Sequence, residues 1–429
     1  MTPDAPEVLR RDLHSIDAVG IGFGAIIGAG IFVVTGIAAG IAGPALLVGL
    51  AIAAVAATAN ALSSAQLAAA YPQAGGAYEY GYQVLHPLAG FAAGWAFLAS
   101  KIAAASTVAI GLGGYLDALI PGLPPRAVSI AAIATFTGLN YFGIKRSSRA
   151  NLAIVTVSVG ALVIFVVAGA SAFSAEHLRP FAPAGWRGTM EAAALLFFAY
   201  TGYARIATLA EEVRNPERVI PQAIVITIGG AVVLYGAVAL VAVGARGADA
   251  LTATNAPLLH VARTFPTPGV ATLVAVGGVT AMLGVILSQL LGLSRMAFAM
   301  ARRADLPASL RHVHPRYRVP DRAVLLIGAT TAVLAAAGSL VAVASAASFA
   351  ILVYYGIANV AALRMPGEKK LYSDAIPTLG VISCALLATS LPVPVITTGV
   401  AVLAAGFGVR FVVRLRSPGG SDGPAADNR

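Results

Sequence analysis

Apolar runs long enough to cross a bilayer recur along this chain, separated by short polar segments. A helix needs roughly 20 apolar residues to span the hydrocarbon layer. The runs that meet or approach this length are Ile16–Gly40, Pro44–Ala70, Pro87–Tyr115, Ala127–Gly143, Asn151–Phe173, Met190–Glu211, Pro221–Gly244, Val270–Met300, Val324–Val343 and Ala346–Leu363. Two shorter runs close the chain, Ile376–Ser390 and Val395–Val413, divided by Leu391-Pro392-Val393-Pro394. Only structures that satisfy their own backbone hydrogen bonds can sit in lipid. The runs are too long and continuous for barrel strands, so the pattern predicts an all-α polytopic protein with about twelve transmembrane helices. Composition agrees. Charged residues make up 11% and hydrophobic ones 58%, whereas a soluble domain has about a quarter of its residues charged. The first run is too long for a cleaved signal and is followed by many others. It reads as a retained span, anchored on the cytoplasmic side by Arg10 and Arg11.

A net charge of +10 raises the possibility of nucleic-acid binding, but the charges lie in short loops between apolar runs, which argues against it. Lys and Arg instead set the orientation. With the N-terminus inside, only Arg126, Arg179, Arg187, Arg246 and Arg263 fall outside, and Lys101 and Arg205 fall within spans; the other 21 of the 28 are cytoplasmic. That asymmetry predicts both termini inside the cytoplasmic membrane. The single cysteine, Cys384, lies in an apolar run and reads as a small buried hydrophobe. The Cys and His residues show no metal-ligand spacing, so no metal or organic cofactor is expected.

Two spans are weak as helices. Span one carries five glycines, Gly20, Gly22, Gly24, Gly28 and Gly30, each costing about 1 kcal/mol of helix propensity relative to alanine. Two readings fit. The glycines permit close helix packing, or the helix unwinds near Gly28–Gly30 and frees backbone groups for a ligand. A dinucleotide fingerprint is discarded, because the strand before and the acidic residue after are missing. Span six carries Phe197-Phe198-Ala199-Tyr200-Thr201-Gly202-Tyr203-Ala204-Arg205. Aromatic packing around a tolerated glycine would explain most of it. The charge at membrane depth points to function instead.

Spans one and six each open a set of five. Two halves of five helices, each beginning with an interrupted one, are what an inverted-repeat carrier would show, with the substrate at the midplane between the breaks. Half-helix N-termini suit a carboxylate and freed carbonyls suit an ammonium. An α-amino acid has both. The expected segments are 1–15 as a cytoplasmic N-terminal stretch, 16–173 and 190–363 as the two repeats, 376–413 as two peripheral helices, and 414–429 as a disordered cytoplasmic tail.

At these residues the sequence resembles the amino acid–polyamine–organocation permeases. The resemblance covers nearly the whole chain. It is carried by Gly24–Phe32, by Tyr71-Pro72-Gln73-Ala74-Gly75-Gly76-Ala77-Tyr78, by Phe198–Glu212 running into Val213-Arg214-Asn215-Pro216, and by Ser294-Arg295-Met296 to Asp305-Leu306-Pro307. It implies ten core helices in two inverted repeats plus two peripheral ones, with helices one and six broken, and transport of amino acids or related amines. By motif position, it implies that Ala29 and Gly30, beside Gly28, offer amides to the substrate carboxylate, and that Ile26 offers a carbonyl to the amine. Phe198, Ala199 and Thr201, next to Gly202, would supply carbonyls and an aromatic lid. Tyr71–Tyr78 is either a cytoplasmic re-entrant gating element or an ordinary turn. Two departures stand out. Some proton-coupled members carry a lysine in span five, where this chain has Ser158; and Arg205 stands after the span-six aromatics, where many members are acidic or polar.

Lys101 lies about 20 Å into span three at 1.5 Å per residue, with no Asp or Glu central in any span. Burial disfavours the charged form of a lysine. Lys101 is therefore either a titrating replacement for the absent span-five lysine or a fixed structural cation held by carbonyls. Arg205 stays charged and is read either as pairing with Glu211 or Glu212 at an inner gate or as facing a substrate's side-chain carboxylate. The expected function is secondary active transport of amino acids by alternating access with a proton as coupling ion. Amino acid/amine exchange or export is the alternative, and a non-transporting sensor or an enzyme fits less well, since no triad, metal set or paired carboxylates stand at membrane depth.

Overall fold

A computed structural model of the chain describes residues 14–71, 73, 75–143, 148–207 and 213–416. Every apolar run is helical over most of its described length, with interruptions at Ile27–Gly28 and at Gly338–Ser339. Span one comprises α1 (Ser15–Ile26) and α2 (Thr35–Ala42), joined by a π-helical stretch at Gly30–Val34. There follow α3 (Leu46–Ala70), the short α4 (Ala77–Tyr80), α5 (Pro87–Leu119), α6 (Pro125–Tyr141) and α7 (Ser148–Gly169). The second part holds α8 (Gly185–Tyr200), α9 (Ala204–Ala207), α10 (Pro216–Thr252), α11 (Pro257–Ala262), α12 (Val270–Arg302), α13 (Asp321–Ala337) and α14 (Leu340–Arg364). The chain closes with α15 (Ala375–Ser390) and α16 (Val393–Arg416). Helix α16 continues three residues into the stretch expected to be a tail, and residues 417–429 lie outside the described set.

The helix starts follow local chemistry. Proline opens α5, α6 and α10, where its missing N–H would be unsatisfied anyway. The His86 ring accepts from Leu88 N at 3.2 Å at the head of α5, and Ser339 Oγ accepts from Ala342 N at 3.2 Å at the head of α14. Proline or serine thus sets the register before the apolar body begins.

Seven described stretches are long and apolar enough to cross a membrane, the first of them Ser15–Ala70, which contains α1, α2 and α3. Burial divides them. In the most apolar window, 78% of residues are buried for Ser15–Ala70 and for Pro87–Leu119, against 33% for Ala150–Ala172 and 11% for Val393–Arg416. The exposed side chains of the outer helices are apolar: Val167 on α7, Val233 on α10, Val333 on α13 and Phe411 on α16. A water-soluble protein rarely shows so much contiguous apolar surface. The molecule is a multi-pass membrane protein in which α1–α3, α5, α8 and α14 are packed inward and α7, α10, α13 and α16 line the outside.

Candidate functional site: two interrupted helices and the lysine between them

Helix α1 stops at Ile26. Ile27 adopts φ −76°, ψ 109°, an extended conformation, and its N–H makes the last bond back to Phe23 O at 2.8 Å. Helical geometry resumes at Ala29. The amides that open a new helical segment have no carbonyl one turn behind them, which is the position of the Ala29 and Gly30 N–H groups. Tyrosine hydroxyls reach into this region from two other helices. Tyr235 of α10 donates to Ile26 O and Tyr115 of α5 donates to Phe32 O, both at 2.9 Å. Both readings of the glycine run hold: the helix unwinds at Ile27–Gly28, and a Cβ on Gly22, Gly24 or Gly30 would collide with a neighbouring segment.

Span six changes less. Helix α8 runs to Tyr200 and tightens into one 3₁₀ turn, Thr201–Tyr203, before α9. Tyr200 and Thr201 keep near-helical dihedrals (φ −90°, ψ −11° and φ −75°, ψ 6°). Aromatic packing explains the compactness: Tyr200 meets Tyr235 at 5.4 Å between ring centroids, and Phe197 and Tyr203 both pack on Tyr355 of α14. A 3₁₀ turn inside a helix often marks a hinge. The expectation of equal breaks therefore needs adjustment, because span one opens while span six is overwound.

The two interruptions lean on each other. A Cβ on Gly30 would collide with Cα and Cβ of Ala199, and one on Gly202 would collide with the Ala25 carbonyl and Ile26 N. Glycine at these two places lets the backbones touch. Ile26, Gly28, Ala29, Gly30, Phe198, Ala199 and Thr201 are all buried, and Gly202 is half-buried. The sequence-predicted residues thus meet in one closed region, except that Gly28 faces Val285 of α12 rather than span six.

Lys101 of α5 joins this region. Its Nζ donates to Thr201 O at 3.3 Å and to Thr201 Oγ1 at 3.4 Å, and it sits 6.0 Å from the Phe97 ring centroid. Tyr355 also donates to Thr201 O, at 3.2 Å, while Thr201 Oγ1 donates to Phe198 O at 2.9 Å. The side chain is 7% exposed. The intramembrane cation therefore touches the weak point of span six. Ser158, standing where a lysine was sought, donates to Ile154 O at 2.7 Å and Gly277 O at 3.2 Å, tying α7 to α12. Arg205 donates to Ser288 O of α12 at 3.4 Å. Its expected partners, Glu211 and Glu212, lie outside the described residues.

Sequence reasoning missed a second polar cluster, at the end of the bundle that carries the basic loop. Asp305, 0% exposed, accepts from Tyr78 Oη at 2.8 Å, Tyr82 Oη at 2.5 Å and Arg410 Nε at 2.8 Å. Beside it, Arg303 pairs with Glu79 at 2.8 Å and lies 4.7 Å from the Tyr82 ring centroid. These groups tie three places together: the α4 turn that begins with Gly75-Gly76, the segment after α12, and the end of α16. The turn is also held by Tyr354 of α14, whose hydroxyl accepts from Ala77 N at 3.1 Å. Pro72 and Ala74 of the Tyr71–Tyr78 motif lie outside the described residues. The available signal was the Arg410/Arg414 spacing of one helical turn together with the acid in Asp305-Leu306-Pro307.

Among the described residues, no group of His, Cys, Asp and Glu is placed to hold a metal ion. An apolar cleft of about 540 Å³ between α7 and α10, bordered by Phe23, Val163 and Val233, opens on the outer surface away from both clusters. It has no polar chemistry to offer a zwitterion, so the interrupted helices remain the candidate site.

Comparison with known proteins gives a consistent result. The family model described as amino acid permease matches residues 17–416. An uncharacterized transporter of Mycobacterium tuberculosis is 42% identical over 419 residues, covering 96% of this chain and 94% of that protein. A branched-chain amino acid permease of Bacillus subtilis is 31% identical over 411 residues, with 89% and 88% covered. A methylthioribose transporter of the same bacterium is 30% identical over 374 residues, with 83% and 81% covered.

Proposed function

The chain belongs to the amino acid permease family, and on that footing we propose that it is a secondary active carrier that moves an amino acid across the cytoplasmic membrane by alternating access, coupled to a proton. Twelve crossings, with both termini and the basic loop inside, form two inverted five-helix repeats and a peripheral pair. The observation that carries this reading is the opening of span one at Ile27–Gly28 directly against the overwound turn of span six. Amides of Ala29 and Gly30 receive the carboxylate. The Ile26 carbonyl, which keeps a second lone pair beside the one given to Tyr235, takes the ammonium. Phe198 and the Ala199–Gly202 backbone close over the other side.

Lys101 is the coupling group in this reading. Its contact with Thr201 supports it, because gain or loss of a proton at Nζ changes what holds the span-six turn. Among the described residues no acid pairs with Lys101, and burial of an unpaired charge is costly, which gives the neutral form a role in one half of the cycle. Arg205 keeps its charge throughout and braces α9 against α12. The Asp305 cluster acts as the inner closure, tying the α4 turn to α16 while the site faces outward or is occluded.

The test is a thermal-shift screen of the purified protein against the standard amino acids, polyamines and methylthioribose. Uptake of the best binder into proteoliposomes then follows, with and without an imposed pH gradient. An α-amino acid is expected to raise the melting temperature, with a neutral branched one such as leucine as the first probe. Stabilisation by methylthioribose and by no α-amino acid would end the carboxylate–ammonium reading.

A further inference from the structure

A row of buried polar side chains leads away from Lys101 toward the basic end of the bundle, and the proposed cycle has not used it. Tyr355 shares the Thr201 carbonyl with Lys101. One helical turn further along α14, Asn359 Nδ2 donates to Tyr355 O at 2.9 Å and to Asn60 Oδ1 of α3 at 2.5 Å. Asn60 Nδ2 in turn lies 3.4 Å from Cys384 Sγ of α15. Beyond Asn60, α3 carries Ser63 and Gln66, the last about 9 Å on along the helix. Gln66 Oε1 accepts from Tyr372 N at 3.3 Å, in the segment that joins α14 to α15. Asn60, Ser63, Gln66 and Asn359 are each 1% exposed or less.

Three atoms of this row have no hydrogen-bond partner among the described residues: Asn359 Oδ1, Ser63 Oγ and Gln66 Nε2. Leaving a buried polar atom unsatisfied is unfavourable, and native proteins meet that need with ordered water. Asn359 Oδ1 lies beside Gly380 of α15, and Ser63 and Gln66 follow about one and two turns beyond Asn60 along α3. Apolar helices of this kind have little reason to carry Asn, Ser, Gln and Asn toward one another except to hold something small and polar.

We propose that this row binds a file of water molecules and forms the path by which the coupling proton passes between Lys101 and the cytoplasm. The proton leaves the Lys101 ammonium to the nearest hydroxyl or water. Each carrier hands on one of its own protons, and one is released beside Gln66 and Tyr372. The amides of Asn60, Asn359 and Gln66 orient the waters, while the hydroxyls of Tyr355 and Ser63 are able to relay. No co-reactant is needed. Among the described residues, the charged and titratable groups around Lys101 are Arg205 on α9 and the phenol of Tyr355, which shares the Thr201 carbonyl with it. Neither of these can hold the departing proton at neutral pH, so it must travel further.

This inference rests on the proton-coupled reading of Lys101, and the experiment separates the two. Purified Ser63→Val, Gln66→Leu and Asn359→Leu variants are reconstituted beside wild type and Lys101→Met. Leucine exchange at equal pH and leucine uptake driven by an imposed pH gradient are both measured, with the pH-sensitive dye pyranine inside the vesicles. The path variants are expected to keep exchange within about twofold, which also shows that they fold. Their gradient-driven uptake and dye response should slow about tenfold or more. If Lys101→Met loses gradient-driven uptake while all path variants that exchange keep it, the path is wrong and the coupling reading stands. If Lys101→Met keeps it, both fall.

Discussion

The midplane junction and the Asp305 cluster are both buried and polar, yet they are built from different materials. At the midplane the contacts are hydroxyl and ammonium bonds to backbone carbonyls, at 2.9–3.3 Å, around two glycine-mediated backbone contacts. At the basic end a fully buried carboxylate receives two phenols and a guanidinium, and a second ion pair stands beside it. Neutral hydrogen bonds contribute about 1 kcal/mol each and exchange readily for bonds to a ligand. Breaking a buried ion pair costs about 3–5 kcal/mol, because it strands a charge. A binding site needs the first kind of contact and a closure the second.

The largest expected effect tests the harder cluster. Asp305→Asn keeps the shape but leaves Arg410 without its carboxylate, and should destabilise by about 3–5 kcal/mol, read as a lowered melting temperature in detergent. An unchanged melting temperature would place the pair on a level with the hydroxyl bonds and dissolve the contrast. Next comes the backbone contact. Gly30→Ala should overpack against Ala199 by about 1–3 kcal/mol and abolish uptake. Ala199→Gly in the same chain should restore part of both, as coupled neighbours do. Additivity of the two substitutions would show that the interruptions do not bear on one another.

Smaller effects probe the midplane bonds singly. Lys101→Met should leave the melting temperature near wild type while cutting gradient-driven uptake about tenfold, which corresponds to about 1.4 kcal/mol. Normal uptake with the same pH dependence would make Lys101 a structural cation. Tyr235→Phe and Tyr355→Phe each remove one hydroxyl bond to a carbonyl, about 1 kcal/mol. The first should weaken substrate affinity a few-fold by isothermal titration, because it holds the Ile26 carbonyl proposed to take the ammonium. The second should act more on the turnover rate. Equal effects on affinity would mean that both hydroxyls merely brace the backbone.

How legible these regions were in the sequence follows the same division. The gap in span one could be read because its cause is local: glycines from Gly20 to Gly30 weaken the helix wherever it sits. Span six carried a similar local signal at Thr201-Gly202, but the outcome was decided by Tyr235 and Tyr355, whose rings come from other helices and keep the turn wound. Lys101 could be flagged as an intramembrane cation, yet its partner Thr201 is a hundred residues away and nothing in either local sequence names the other. The Asp305 cluster was the least legible. Arg410 counted toward the positive cytoplasmic side, and only the packing of α16 on α5 and α14 reveals that it is buried at 4% exposure. Helices and their approximate bounds come from hydropathy, while the pairing of distant charges comes from tertiary geometry.

Helix α16 has just 11% of its most apolar window buried, so acyl chains wet most of its length. Its end is nonetheless tethered by Arg410 to the carboxylate that holds the α4 turn. Mismatch between a helix and the surrounding hydrocarbon costs fractions of a kcal/mol per Å and is relieved by tilting. Tilt of α16 would therefore pull on the Asp305 cluster through Arg410 and through Arg414, which lies 3.6 Å from the same carboxylate. The carrier's turnover is expected to vary with the chain length of the host phospholipid, and Arg410→Leu should flatten that dependence.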